Sequence, residues 1–262
     1  MSDQRARAAA EAIWASWERG QRLERLPDSC RPRSIEEGYA AQAMLEEVSG
    51  SSSVGWKIAA TNVTGQRHIG VQQPLGGRLL AVRVAKGDTP IPVADNHMRV
   101  AEAEFAFVLA RDIPPRAQPY TPDEILDCVA SLHPAIELPD SRFRDFACAG
   151  GAQLAADDAC AGWFVAGEAA TAEWRELDLA AHPVSLAVNG RQVTCGRGAD
   201  VLGGPLVALA WLANSHGLRG CGLEAGQIVT TGVCGEPSPI GPGDSVCADF
   251  GALGRVALEL QS

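Results

Sequence analysis

The chain has 262 residues, 46% of them hydrophobic and 21% charged, with a formal net charge of −10, which is ordinary for a globular protein long enough for one large domain or a small segment plus a core domain. No apolar run approaches the roughly 18 residues of a membrane span, and an acidic chain without clustered Lys and Arg is a poor match for nucleic acid. Its eight cysteines show no C-x-x-C spacing, which argues against a zinc module or redox pair, and the start Met-Ser-Asp-Gln-Arg-Ala-Arg lacks a secretory apolar segment, so a cytoplasmic location is expected.

Residues 4–19 are Ala-rich, with Ile13, Trp14 and Trp17 on one helical stripe and Gly20 as a stop. A second helix is predicted from Ser34, which has capping-box spacing to Glu37, through Tyr39, Leu45 and Val48. Val54–Ala59 predicts a short strand with Val54, Trp56 and Ile58 on one face; Lys57 lies on the other, between small residues that leave it room but little cover. Residues 70–92 read as loops joined by short strands such as 79–84. Arg99–Leu109 predicts a longer strand. Thr121-Pro-Asp-Glu124 combines an N-cap, a first-turn proline and a capping glutamate, opening a helix to about Ser131, with a strand over 134–138 after His133. Another strand is expected over 162–167, and Asn189-Gly190 marks a type I′ hairpin. Gly204-Pro205 opens a helix closing near Gly217, and strands and turns fill the remainder. Turns separate the strands more often than helices do, which predicts an α+β fold with mostly antiparallel sheets.

The strand at 99–109 carries the clearest chemistry. Successive side chains alternate faces, so Glu102 and Glu104 project together at roughly 7 Å spacing, near enough to share a cation. Ala101, Ala103, Phe105 and Phe107 mark the opposite face as core, and Ala106 and Val108 continue the glutamate face as apolar. Carboxylates placed inside must be paired, protonated or bound to metal. Glu137, also among apolar residues, supplies a third. An all-oxygen set of this kind selects a hard divalent cation such as Mg²⁺ or Mn²⁺. Such an ion with open positions can hold a 2-oxo acid and stabilise its enolate.

Gly55-Trp-Lys-Ile58, Gly70-Val-Gln-Gln-Pro74, Ala101–Phe107, Pro134-Ala-Ile-Glu137 with Asp140-Ser-Arg142, Leu202–Leu206 with Trp211–Asn214, and Ala225–Gly232 occur in this order. Together they resemble the 2-oxopent-4-enoate hydratase and 4-oxalocrotonate decarboxylase group of the fumarylacetoacetate hydrolase superfamily. The resemblance implies a mixed β-sandwich or β-roll core with a smaller N-terminal α/β region, divided here as residues 1–85 and 86–262. It also implies a homo-oligomer, a Mg²⁺ or Mn²⁺ ion on Glu102, Glu104 and Glu137, and Lys57 as the proton-moving lysine. Thr231 and Gly232 match the strand end that meets the substrate carboxylate, and Asp157 matches the acid of a D-N-A-S segment near the pocket. Arg142 is a candidate for neutralising a carboxylate, with an ion pair to Asp140 or Asp145 as the alternative; His133 is expected to pack rather than ligate.

Two departures bear on the reaction. Val82 is aligned with an aspartate of the hydratases, and the D-N-A-S segment reads Asp157-Asp-Ala-Cys160. The function expected is a metal-dependent hydratase that converts a 2-hydroxydienoate or 2-oxo-4-enoate to a 4-hydroxy-2-oxo acid. The runner-up is a decarboxylase of a 2-oxo-3-enedioate, for which Arg78 or Arg83 would attract the second carboxylate. Weaker readings are a C–C hydrolase using Asp158 and a non-catalytic partner in a complex with a pathway homologue.

Overall fold

Among the described residues, alternating apolar residues build thirteen strands. In chain order they are β1 (Ser53–Ala59), β2 (Leu75–Leu80), β3 (Val84–Ala85), β4 (Ile91–Pro92), β5 (Val100–Leu109), β6 (Val129–Leu138), β7 (Trp163–Ala166), β8 (Pro183–Val188), β9 (Arg191–Arg197), β10 (Ile228–Val233), β11 (Ser238–Pro239), β12 (Ser245–Asp249) and β13 (Arg255–Gln261). The computed structural model describes residues 1–85, 89–218 and 220–261. One eight-stranded sheet runs β2-β1-β10-β5-β6-β7-β3, with β11 added beside β5, and a five-stranded sheet runs β4-β13-β12-β8-β9. Pairing is antiparallel except at β1–β10, β3–β7 and β13–β4, so the mixed, mostly antiparallel α+β expectation holds.

Phe105 and Phe107 of β5 enter one apolar core with Leu132 and Ile136 of β6, Leu186 of β8, Ala248 of β12 and Val256 and Leu258 of β13. Burying each phenylalanine contributes roughly 2–3 kcal/mol, which fixes the register of β5 and turns its glutamates to the opposite face. On that side lies a separate apolar cluster. It joins Ala9, Ala10 and Ile13 of helix α1 (Asp3–Glu18), Ala41 of α2 (Ile35–Ala43) and Leu45 of α3 (Leu45–Ser49) to Leu75 and Leu154. The boundary expected between residue 85 and residue 86, the latter outside the described residues, does not coincide with the sheets: β1 and β2 pair into the sheet that carries β5.

Local expectations mostly hold. Ser34 caps its helix, although the Glu37 carboxylate accepts from the Arg33 N–H and not from that of Ser34, the second helix breaks at Met44 into α2 and α3, and Asn189 and Gly190 both take positive φ in the β8–β9 hairpin. The helix after Thr121 has its capping box but covers only Pro122–Leu126. Strand β6 begins eight residues after that cap, because Val129 and Leu132 are drawn into the inter-sheet core.

Candidate metal centre

β5 and β6 run antiparallel with Glu102 directly opposite Glu137, and Glu104 lies two residues along on the same face. One ligand oxygen from each of the three carboxylates falls within 4.8 Å of the others. Glu104 and Glu137 are buried and Glu102 reaches the edge of a cleft. Glu104 Oε2 accepts hydrogen bonds from the Thr230 hydroxyl and, at 2.8 Å, from the Gly232 N–H, while its Oε1 has no partner. Neither oxygen of Glu137 accepts a hydrogen bond of good geometry, although Lys57 Nζ approaches Oε1 to 3.0 Å. Buried oxygens of Glu104 and Glu137 without hydrogen-bond partners, joined by an oxygen of the half-buried Glu102 and all hard donors, fit a divalent cation of the Mg²⁺ type.

The electrostatics agree with that fit. Burial, reinforced by Glu137, pushes Glu102 up to about 7. Burial, then Glu137 and Glu102, hold Glu104 well above the carboxylate range. Burial acting alone would lower Lys57, but Glu137, Glu102 and Glu104 outweigh it, so the lysine stays charged. Three carboxylates against one ammonium leave formal negative charge that a bound cation would neutralise.

Lys57 is 2% exposed, so the small neighbours on its own strand are not its cover. The cover is a turn at residues 158–160. Lys57 Nζ donates to the Ala159 carbonyl at 3.0 Å, and Asp158, Ala159 and Cys160 take φ of 54, 50 and 61°. Each non-glycine residue in that left-handed region costs on the order of 1–2 kcal/mol. Gly77, opposite Lys57 in β2, makes the approach possible: a Cβ there would lie 2.3 Å from the Asp158 carbonyl oxygen and 3.0 Å from the Lys57 stem.

Several expected site residues hold this turn and do not face the cleft. Asp157 forms a fully buried ion pair with Arg142 and accepts from the Ser141 hydroxyl at 2.6 Å. The remaining Arg142 donors go to the carbonyls of Asp157 and Ala161. Its aspartate partner is thus neither Asp140, which pairs with Arg22, nor Asp145. Asp158 Oδ1 accepts from the Arg78 N–H at 2.7 Å, and burial pushes its carboxyl up to about 6. Thr231 donates its hydroxyl to the Phe105 carbonyl at 3.0 Å, back into the sheet. Arg142, Asp157, Asp158 and Thr231 do not line the cleft; other protein groups take up the side-chain donors and acceptors of Arg142, Asp157 and Thr231, whereas Asp158 Oδ2 is buried without a partner. Gly232 grips Glu104 by its N–H, with φ 99° and no space for a Cβ, which would strike Thr61 Oγ1.

Thr230, Thr61 and the Ala159 carbonyl are functional groups that sequence reasoning missed. Thr230 carried a faint signal as a hydroxyl within an apolar strand. Val82 is 52% exposed and outside the cleft, whereas Leu75, immediately after Pro74, lines it. His133 bonds Ser131 and the Gly167 carbonyl, as a packing histidine. The cleft itself encloses about 850 Å³, with Lys57, Glu102, Thr61 and Ala159 among its walls.

Comparison with known proteins follows the same lines. The model of the fumarylacetoacetate (FAA) hydrolase C-terminal domain matches residues 64–261. A 2-keto-4-pentenoate hydratase of Paraburkholderia xenovorans is 32% identical over all of this chain and 97% of its own length. One from Burkholderia vietnamiensis is 34% identical over 90% of each chain. Among solved structures, a 4-oxalocrotonate decarboxylase from Pseudomonas putida, complexed with magnesium and adipate, superposes with a TM-score of 0.89 at 25% identity, covering 99% of this chain and 98% of that one. By its carboxylate centre, its two sheets and these matches, the chain belongs to the fumarylacetoacetate hydrolase family.

Proposed function

We propose that the protein is a metal-dependent hydratase that converts a 2-hydroxy-2,4-dienoate, by way of its 2-oxo-enoate form, to a 4-hydroxy-2-oxo acid. The observation that carries this reading is a buried, charged Lys57 held 3.0 Å from one member of a three-carboxylate centre at the wall of a substrate-sized cleft. The whole-length similarity to hydratases supports it.

Glu102, Glu104 and Glu137 would hold Mg²⁺ or Mn²⁺. Once bound, that ion supplies positive charge for the substrate's carboxylate and 2-oxygen, favouring the enolate. Lys57 supplies the mobile proton. In the first stage C5 gains a proton as the 2-hydroxyl loses one; in the second, water adds oxygen at C4 and hydrogen at C3. The Ala159 carbonyl and Glu137 fix the ammonium between them, and an ammonium so placed needs no reorientation to reach a carbon beside the centre. Asp157, Asp158 and Arg142 position the turn that carries this carbonyl, and Gly232 with Thr230 positions Glu104. The same reading carries a homo-oligomer and a cytoplasmic location as expectations.

Purified protein with Mg²⁺ should deplete the absorbance of 2-hydroxypenta-2,4-dienoate without releasing carbon dioxide. No change with that substrate, or carbon dioxide release from a 2-oxo-3-enedioate, would instead favour the decarboxylase reading, which rests on the match to the magnesium- and adipate-bound decarboxylase.

A further inference from the structure

The cleft lining is of two kinds. Lys57 and Glu102 present charge. Ile69, Leu75, Met98, Phe146 and Leu154 form an apolar wall, all belonging to or packed against the apolar cluster of the N-terminal helices. Charged side chains along the cleft are otherwise acidic, namely Asp200 and Glu236. The other ionisable base among the described lining residues is His68, exposed at the rim with its ring edge against Phe146 at 5.5 Å between centroids. The arginines that sequence reasoning offered to a second carboxylate are engaged elsewhere: Arg78 pairs with Glu46 and stacks on Trp56, and Arg83 lies over Trp17 and Trp163.

A carboxylate against these apolar side chains would lose water with only the exposed His68 ring at their edge to replace it. An alkyl chain there meets hydrophobic surface instead. At about 850 Å³ the cleft also falls in the range of pockets that enclose ligands far larger than a five-carbon acid. We propose that the cleft selects monocarboxylic 2-hydroxydienoates bearing an apolar substituent of several carbons at the end remote from the carboxylate, and that it discriminates against substrates ending in a second carboxylate. This rests on the hydratase reading only in placing the 2-oxo acid head at Lys57 and the three glutamates.

Non-reacting 2-oxo acids test selection apart from turnover. Titration calorimetry on the Mg²⁺-loaded protein would compare 2-oxopentanoate, 2-oxooctanoate and 2-oxoadipate. Each buried methylene is worth about fourfold in affinity, so 2-oxooctanoate should bind at least about tenfold more tightly than 2-oxopentanoate after incomplete burial is allowed for. The dicarboxylate should bind at least about tenfold more weakly than 2-oxopentanoate. Met98→Lys, at a half-buried position from which a lysine can reach water, should raise 2-oxoadipate affinity, and Phe146→Ala should shrink the chain-length gain. Equal or tighter binding of 2-oxoadipate by the unmodified protein, no gain with chain length, or no binding of any probe would each overturn the proposal. Hydration of 2-hydroxypenta-2,4-dienoate without a chain-length gain would overturn it while leaving the hydratase reading intact. The reverse result, graded binding with no hydration of any dienoate, would sink the hydratase reading alone.

Discussion

Of the three proposed ligands, Glu104 is held through Thr230 and the Gly232 N–H on one oxygen, with the other free of hydrogen-bond partners and open to a cation. Glu104→Gln keeps the shape and removes the charge. The variant should lose Mg²⁺ affinity and at least about 100-fold in turnover, whereas its metal-free form should melt no lower than the metal-free parent, since one of several mutually repelling buried carboxylates is gone. Calorimetric Mg²⁺ titration and thermal melts check both arms, and unchanged metal affinity would refute the ligand assignment. Asp158 permits a pH test away from the metal. Burial raises its carboxyl from 3.8 to about 6, so the folded state binds the proton more tightly than the unfolded chain and stability falls as pH rises through this window. Asp158→Asn escapes that loss and still offers an acceptor to the Arg78 N–H. The variant should match the parent near pH 4 and gain on it up to a plateau above pH 6, by about 3 kcal/mol at most. Urea unfolding at pH 4, 5, 6 and 8 measures the difference; a pH-independent difference would contradict the cause given.

At the scale of elements, period-two alternation made β5 and its two glutamates legible, because Phe105 and Phe107 are apolar enough to decide which face is inside. The turn at 158–160 was not legible. Three consecutive left-handed residues without glycine have no sequence signature, and their strain is held by long-range partners: Arg142 to Asp157, and the Asp140 N–H to the Cys160 carbonyl at 2.9 Å. The pairing of Arg142 with Asp157 was not legible for the same reason, since a buried ion pair and a substrate contact look alike in sequence. Arg142→Met strands a buried Asp157 and should cost roughly 3–5 kcal/mol of stability, read by urea unfolding. A subtler change is Gly77→Ala, whose Cβ would collide with the Asp158 carbonyl and crowd the Lys57 stem. Turnover should fall at least about tenfold while Mg²⁺ affinity stays within about threefold of the parent, because the three ligands sit on β5 and β6 and not on the displaced turn. Equal losses of both would mean that the collision is relayed to the metal strands.

At the scale of the molecule, the question is whether the N-terminal region is a separate unit. The sequence suggested a division at residue 85, since helices and glycine-rich loops precede it and strands dominate after it. That contrast is one of local periodicity and says nothing about which strands pair. In the structure β1 hydrogen-bonds to β10, which hydrogen-bonds to β5, and Lys57 of β1 contacts Glu137 of β6. The centre thus links both sides of the supposed boundary within one sheet. A ligand that binds only the folded centre should consequently stabilise the chain as a whole. At Mg²⁺ about 100 times its Kd the gain is about 2.7 kcal/mol, and for a domain of roughly 250 residues this corresponds to about 5–10 °C in Tm. Differential scanning calorimetry should show one transition, moved upward as a unit by Mg²⁺ and restored by chelation. A second transition indifferent to Mg²⁺ would show that the helices and first strands unfold independently of the carboxylate strands, and that the contacts of Lys57 do not couple them.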